Sequence, residues 1–166
     1  MAIDYFKIFA LPKEYAVEID ALETAYRRLS VQYHPDKTAH LSAFEQKQAV
    51  MLSATINEAY RTLKSPLDRA AYLLKEQGMD ADAPEHTRFA PEFLMQQMQW
   101  REDLEDAAHN EAALLNLQQQ ISTTYDQLQQ DLLHDFAEKN WQEAANHVRE
   151  GRFISKLLQQ IKQALP

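Results

Sequence analysis

Residues 22–64 read LETAYRRLSVQYHPDKTAHLSAFEQKQAVMLSATINEAYRTLK. Leu22, Tyr26, Leu29 and Tyr33 recur at three- and four-residue steps, the repeat of one helical face. Asp20 and Glu23 stand at capping-box spacing just ahead of that run, so a helix is expected from about Asp20. It must stop at His34, because the residue before Pro35 is driven out of helical geometry. Ser42 and Glu45 repeat the capping spacing and open a longer helix through Phe44, Val50, Leu52, Ile56, Ala59, Tyr60 and Leu63 to Lys64. The stretch is a helical hairpin, and His34-Pro35-Asp36 forms the loop between its arms.

The same punctuation continues outward. Asp4 to Leu11 is a short apolar turn closed by Pro12. Ser65 caps a further helix with Pro66 at its first position, where the missing N–H is not needed, and Gly78 stops it. Residues 79–89, MDADAPEHTRF, are acidic, contain Pro84 and lack periodicity, which is the pattern of a linker. Pro91 then opens a helix to about Ala108. Asn110 starts a second, with Leu114, Leu117, Ile121, Tyr125, Leu128, Leu132 and Phe136 on one stripe. Asn140 and Glu143 cap a third, which runs to about Leu165. No segment alternates as a strand does. The expected fold is all-α, with four N-terminal helices, a linker and an antiparallel three-helix bundle.

Composition narrows the chemistry. The chain of 166 residues has no cysteine, which removes disulfides, thiol catalysis and thiolate-built metal or cluster sites. Two glycines leave little material for phosphate-binding loops or nucleophile elbows. His40, His86, His109, His134 and His147 are scattered, without the i, i+4 pairing of helical metal ligands, so neither metal nor cofactor is expected. The net charge is −8, and it is unevenly placed: residues 1–78 carry ten basic and ten acidic side chains, residues 79–166 seven and fifteen. An acidic excess argues against nucleic acid or an anionic membrane as partner, and a neutral half beside an acidic half suggests two units with different partners. No apolar run approaches a membrane span and the first ten residues lack a signal-peptide pattern, so a cytoplasmic protein is expected.

His34-Pro35-Asp36 and its surroundings, Lys37 after it, then Glu58-Ala59-Tyr60-Arg61-Thr62-Leu63 and Arg69-Ala70-Ala71-Tyr72, resemble the J domain over residues 1–77. That resemblance implies a module that engages a heat-shock ATPase chaperone of the DnaK/HscA kind and stimulates its ATP hydrolysis without catalysis of its own. It makes His34, Pro35 and Asp36 the expected chaperone contacts, with Arg27, Arg28 and Lys37 suited to an acidic dock. An acid–base reading of His34 and Asp36 would need a nucleophile or metal set that the sequence does not supply. Asp36 as a simple cap for the following turn is the structural alternative.

On a helical wheel of residues 91–108, Phe93, Trp100, Leu104 and Ala107 share one stripe. Leu94, Met95 and Met98 fall away from it, among Glu102, Glu105 and Asp106, which suggests an exposed apolar patch ringed by acid. On the last helix Ala144, Val148, Gly151, Ile154, Leu158, Ile161 and Leu165 share a face, and Phe153 stands away from it, as an exposed phenylalanine with no packing role. Such a patch packs against the N-terminal helices, forms a homodimer seam, or meets a partner. With Phe93-Leu94-Met95-Gln96-Gln97-Met98-Gln99-Trp100-Arg101-Glu102-Asp103-Leu104-Glu105 the chain resembles the HscB-type J-domain co-chaperones of iron–sulfur cluster biogenesis over nearly its whole length.

That resemblance implies a J domain over 1–77, a linker over 78–89 and a scaffold-binding bundle over 90–166. The bundle would hold an IscU-type scaffold and deliver it to an HscA-type chaperone. Leu94, Met95, Met98, Gln99, Glu102, Asp106 and Phe153 match the scaffold-contacting positions. Gln99 is neutral where the family often carries glutamate, and Asp106 is one methylene shorter than glutamate. A monomer is the expected state. The alternative is a J protein of another client whose acidic bundle serves dimerisation or as an adaptor.

Overall fold

The computed structural model describes residues 3–83 and 89–166, and residues 84–88 of the expected linker, Pro84 and His86 among them, lie outside the described residues. The described chain contains eight helices and no strand. Its contacts divide it into two units, the first ending at Leu73 and the second beginning at Leu74.

In the first unit, α1 (Tyr5–Ile8) is capped by Asp4, whose carboxylate accepts from the Phe6 and Lys7 amides. Helices α2 (Ile19–Gln32) and α4 (Ala43–Lys64) form the hairpin, with α3 (Pro35–Thr38) between them, and α5 (Pro66–Glu76) follows. Phe6, Phe9, Tyr15, Leu22, Ile56, Ala59, Leu63, Leu67 and Ala70 fill the core. Tyr26 stacks on Tyr60 at 3.9 Å between centroids, and its hydroxyl donates to Asn57 at 2.8 Å, so the two arms are held by both apolar and polar contact. Tyr5 stacks on Tyr72 at 4.8 Å, which ties α1 to α5. Arg69 is buried: it donates to the Leu63 carbonyl at 2.7 Å, closing the end of α4, and lies 4.9 Å over the Tyr15 ring. Burial pulls its pKa down, partly offset by Tyr15.

Several local expectations are corrected. Helix α2 starts at Ile19, not at a capping box on Asp20: Asp20 already lies inside the first turn, Glu18 is the N-cap and makes no side-chain cap bond, and Glu23 pairs with Arg27. It ends at Gln32, with Tyr33 as C-cap, while pre-proline His34 is extended at ψ 141°. Ser42 and Glu45 do make the full capping box of α4. Phe44 and Val50 of α4, however, are exposed at 69% and 64%, since the buried face of that helix runs through Ala49, Ile56, Ala59 and Leu63.

The second unit is built from α6 (Pro91–Ala107), α7 (Glu111–Ala137) and α8 (Trp141–Ala164). Asn110 and Asn140 cap α7 and α8 as their spacing predicts, accepting from the Ala113 and Glu143 amides. Leu114, Leu117, Ile121, Leu128 and Leu132 of α7 meet Ala144, Val148, Gly151, Ile154, Leu157 and Ile161 of α8 in the core. Leu157 is buried where the sequence placed Leu158, a shift of one residue that a 100° step readily produces. Helix α6 contributes fewer buried groups, Trp100 and Ala107. Asp82 forks onto Arg152 at 3.1 and 2.9 Å, and Ala81 is buried, so the start of the expected linker is fastened to α8.

The chain closes its corners largely without glycine. After α7 the Asn140 amide reaches back to the Asp135 carbonyl at 2.8 Å and Lys139 to Phe136 at 3.2 Å, with Lys139 at φ 57°. Ala10 closes α1 by the same double bond pattern at φ 54°, and Gly78 closes α5 at φ 78°.

At the α7–α8 seam the buried Asp135 carboxylate lies 2.5 Å from His147 Nδ1, and Asp131 stands 3.9 Å from Nε2. Glu150, one turn beyond His147 on α8, is partly buried. Its carboxyl pKa is raised by burial and by Glu143 and Asp131, against the opposing pull of His147 and Arg149. A carboxyl whose folded pKa is raised adds stability below the ordinary carboxylate range and loses it as pH climbs through the folded value. Glu150→Gln is therefore expected to raise the melting temperature at pH 7. The gain should shrink in melts at progressively lower pH, as the wild-type carboxyl itself takes up a proton.

Candidate functional site

The His34-Pro35-Asp36 turn is built more tightly than a loop. Pro35 takes the first position of α3, and His34 is its N-cap, with Nδ1 accepting the Asp36 amide at 3.2 Å. The expected loop is thus one turn of helix, and the capping group is His34 rather than Asp36. Buried Thr38 donates to the His34 and Pro35 carbonyls, both at 3.4 Å. From α4, the Gln46 amide donates to the carbonyls of Ala39 and Leu41, each at 3.0 Å, pinning the chain that follows. These bonds fix the backbone of the tip and leave its functional groups outside. The Asp36 side chain is 90% exposed, 3.6 Å from His34 Nδ1.

Arg27, Arg28 and Lys37 are all exposed near this end of the hairpin. Arg27 pairs with Glu23 at 3.7 Å one turn back on α2, a surface contact too weak to hold it against a partner. The site is accordingly a basic helix face leading to one exposed carboxylate on a stiff turn.

The second candidate surface lies on α6. Leu94, Met95 and Met98 are exposed at 44%, 71% and 71%, and Gln99, Glu102 and Asp106 are exposed beside them. Gln99 donates to Asp103 at 2.9 Å along the helix. Trp100, at 5% exposure, belongs to the core and meets Phe93 edge-to-face at 6.4 Å.

Phe153 corrects the sequence reading. It is half-buried, not an isolated exposed ring: Phe93 packs edge-to-face against it at 6.0 Å, and the Arg101 guanidinium stands over it at 5.4 Å. The wheel placed Phe153 away from the centre of α8 but carried no information about α6, whose Phe93 fills that flank. Phe89, Phe93, Phe153 and Trp100 form a chain of rings, and Arg101 ends it on the solvent side. Arg101 was not among the sequence candidates. Its signal was available, since it lies three residues after Met98 and seven after Leu94 on one helical strip.

Among the described residues no cluster of three or more His, Cys, Asp or Glu side chains is arranged to hold a metal ion, and no helix is long and apolar enough to cross a membrane.

Comparison with known proteins finds a match for each of the two units. Residues 4–72 match the DnaJ domain, and residues 89–162 match the HSCB C-terminal oligomerisation domain. A co-chaperone protein HscB homolog of Neisseria meningitidis is 54% identical over 163 residues, covering 97% of this chain and 98% of the relative. Chaperone HscB from Vibrio cholerae is similar in structure with a TM-score of 0.86 at 34% identity, covering 97% of this chain and 96% of the other. Human co-chaperone protein HscB gives 0.92 at 26% identity, covering 98% and 82%. An all-helical chain with a His-Pro-Asp turn in a DnaJ-type unit, continued by the matching C-terminal helices and shared with these relatives over almost its full length, belongs to the HscB family of J-domain co-chaperones.

Proposed function

We propose that this co-chaperone stimulates the ATPase of an HscA-type heat-shock chaperone and brings it an IscU-type scaffold during iron–sulfur cluster assembly and transfer. The observation that carries the reading is the pairing of two exposed surfaces on two separate units: the fixed His34-Pro35-Asp36 turn, and the Leu94–Met98 strip with its acidic border.

On the first surface, Pro35 and the His34 cap fix the backbone in advance, so docking orders few additional groups. Asp36 then offers both carboxylate oxygens to a partner arginine, and Arg27, Arg28 and Lys37 steer an acidic face toward it. The partner carries out the hydrolysis; this chain supplies a contact that favours the hydrolysing conformation. On the second surface, the methionines adapt to an apolar partner segment, Glu102 and Asp106 select a basic one, and Phe153 contributes an aromatic edge. Neither role uses a bound cofactor.

Single-turnover ATP hydrolysis by the HscA-type chaperone tests this directly. The co-chaperone alone should accelerate it, and co-chaperone with scaffold should do so more than the two separate effects combined. No acceleration by the folded protein would defeat the first half of the reading, and indifference to scaffold the second.

A second reading has one specific support, the description of the matched C-terminal family as an oligomerisation domain. In that case the Leu94–Met98 strip would be a dimer seam. Sedimentation of the protein alone and of Met98→Glu separates the two: a dimer lost in the variant favours the seam, a monomer throughout favours the scaffold.

A further inference from the structure

The seam between α6 and α8 carries a feature that neither the motif positions nor the comparisons assign. A cavity of about 360 Å³ opens there, lined by Arg101, Leu104, Glu105, Phe153, Lys156 and Leu157. The Phe153 ring forms part of its lining and is held between Phe93 at 6.0 Å and the Arg101 guanidinium at 5.4 Å. Arg101 is itself exposed and, among the described residues, forms no ion pair with a carboxylate, although Glu102 and Glu105 follow it one and four residues on. Its charge is spent on the ring.

Arg101 shares the α6 strip of Leu94 and Met98 and faces the side of α8, so it bridges the two halves of the candidate scaffold surface. We propose that Arg101 is a positioning residue for scaffold binding: with Phe93 behind, it fixes the Phe153 ring at the rim of the α6–α8 cavity so that α6 and α8 present one continuous surface. This rests on the scaffold-binding reading of that surface. The physical basis is the attraction of a guanidinium to an aromatic face, which is weak in water and strengthens when a partner excludes water from the pair. A partner that covers Phe153 would therefore bind better for the presence of Arg101 even without touching it. The planar guanidinium also stacks over a ring in a way that an ammonium reproduces only in charge.

The test is calorimetric titration of the cognate IscU-type scaffold into the full-length protein, with thermal melts beside it. Arg101→Ala should weaken binding about three- to tenfold while melting as the wild type does, because the side chain is exposed. Arg101→Lys should recover part of the loss. Arg101→Ala combined with Phe153→Ala should bind no more weakly than Phe153→Ala alone, since a positioning residue has nothing left to position. Phe153→Leu provides the same background should Phe153→Ala fold poorly. In the free protein, nuclear Overhauser contacts between the Phe153 and Phe93 rings should weaken in Arg101→Ala. Full binding by Arg101→Ala overturns the proposal. So do losses that multiply independently in the double variant, which would mean that Arg101 touches the scaffold itself. If Leu94→Ala and Phe153→Leu both bind normally, the scaffold reading of this surface fails and takes the proposal with it.

Discussion

Asp36→Asn is expected to abolish most of the stimulation of the chaperone ATPase while leaving the fold unchanged. Its carboxylate is 90% exposed and lies 3.6 Å from His34 Nδ1, so the free protein loses at most a weak surface contact. The amide that His34 caps belongs to the backbone and survives the substitution. In the complex the balance changes: a carboxylate that pairs bidentately with a partner arginine away from water contributes about 2–5 kcal/mol when one member is removed. Asparagine keeps the shape of aspartate but offers a single acceptor and no charge. Single-turnover hydrolysis with wild-type and variant protein, matched for circular dichroism and melting temperature, checks the claim. Normal stimulation by the folded variant would refute it.

The second large effect concerns stability. Trp100→Ala should lower the unfolding free energy by about 3–5 kcal/mol, the usual range for removing a buried aromatic. Trp100 is 5% exposed and supports Phe93, which in turn supports Phe153, so its loss leaves a cavity and releases two further rings. Leu94→Ala and Met98→Ala on the same helix should stay within about 0.5 kcal/mol of wild type, because both side chains face solvent. Denaturant titrations of the three variants decide it. If the two patch variants unfold early and Trp100→Ala does not, the face of α6 assigned to the core is wrong.

How far the sequence carries the fold depends on what each feature needs. Caps need three or four adjacent residues, and Ser42–Glu45, Asn110 and Asn140 were legible from spacing alone. The start of α2 at its Glu18 cap was not, since that cap uses no side-chain bond and so leaves no spacing to read. The exposure of Leu94, Met95 and Met98 followed from one wheel, because a single helix cannot bury two opposite stripes in a three-helix unit. Phe153 defeated the same method. Its partners Phe93 and Arg101 lie on another helix, and a wheel describes one helix at a time. Phe153→Ala is consequently a mixed variant, expected to weaken both packing and binding. The tip of the hairpin is legible as a break between helices but not as a helical turn, since Thr38 closes it through local bonds to the His34 and Pro35 carbonyls and Gln46 ties down the chain that follows from α4.

The modest anchorage of α6 has a kinetic consequence. Two buried residues, Trp100 and Ala107, fasten it, while α7 and α8 bury a long mutual seam. Local opening follows the weakest burial, so the amides of α6 would exchange with solvent hydrogen ahead of those in the α7–α8 pair, through excursions in which one helix lifts and two remain. Of these three helices, the one that offers the apolar strip would thus also be the first to open. A partner that binds it adds the burial it lacks, and recognition and local ordering become a single event.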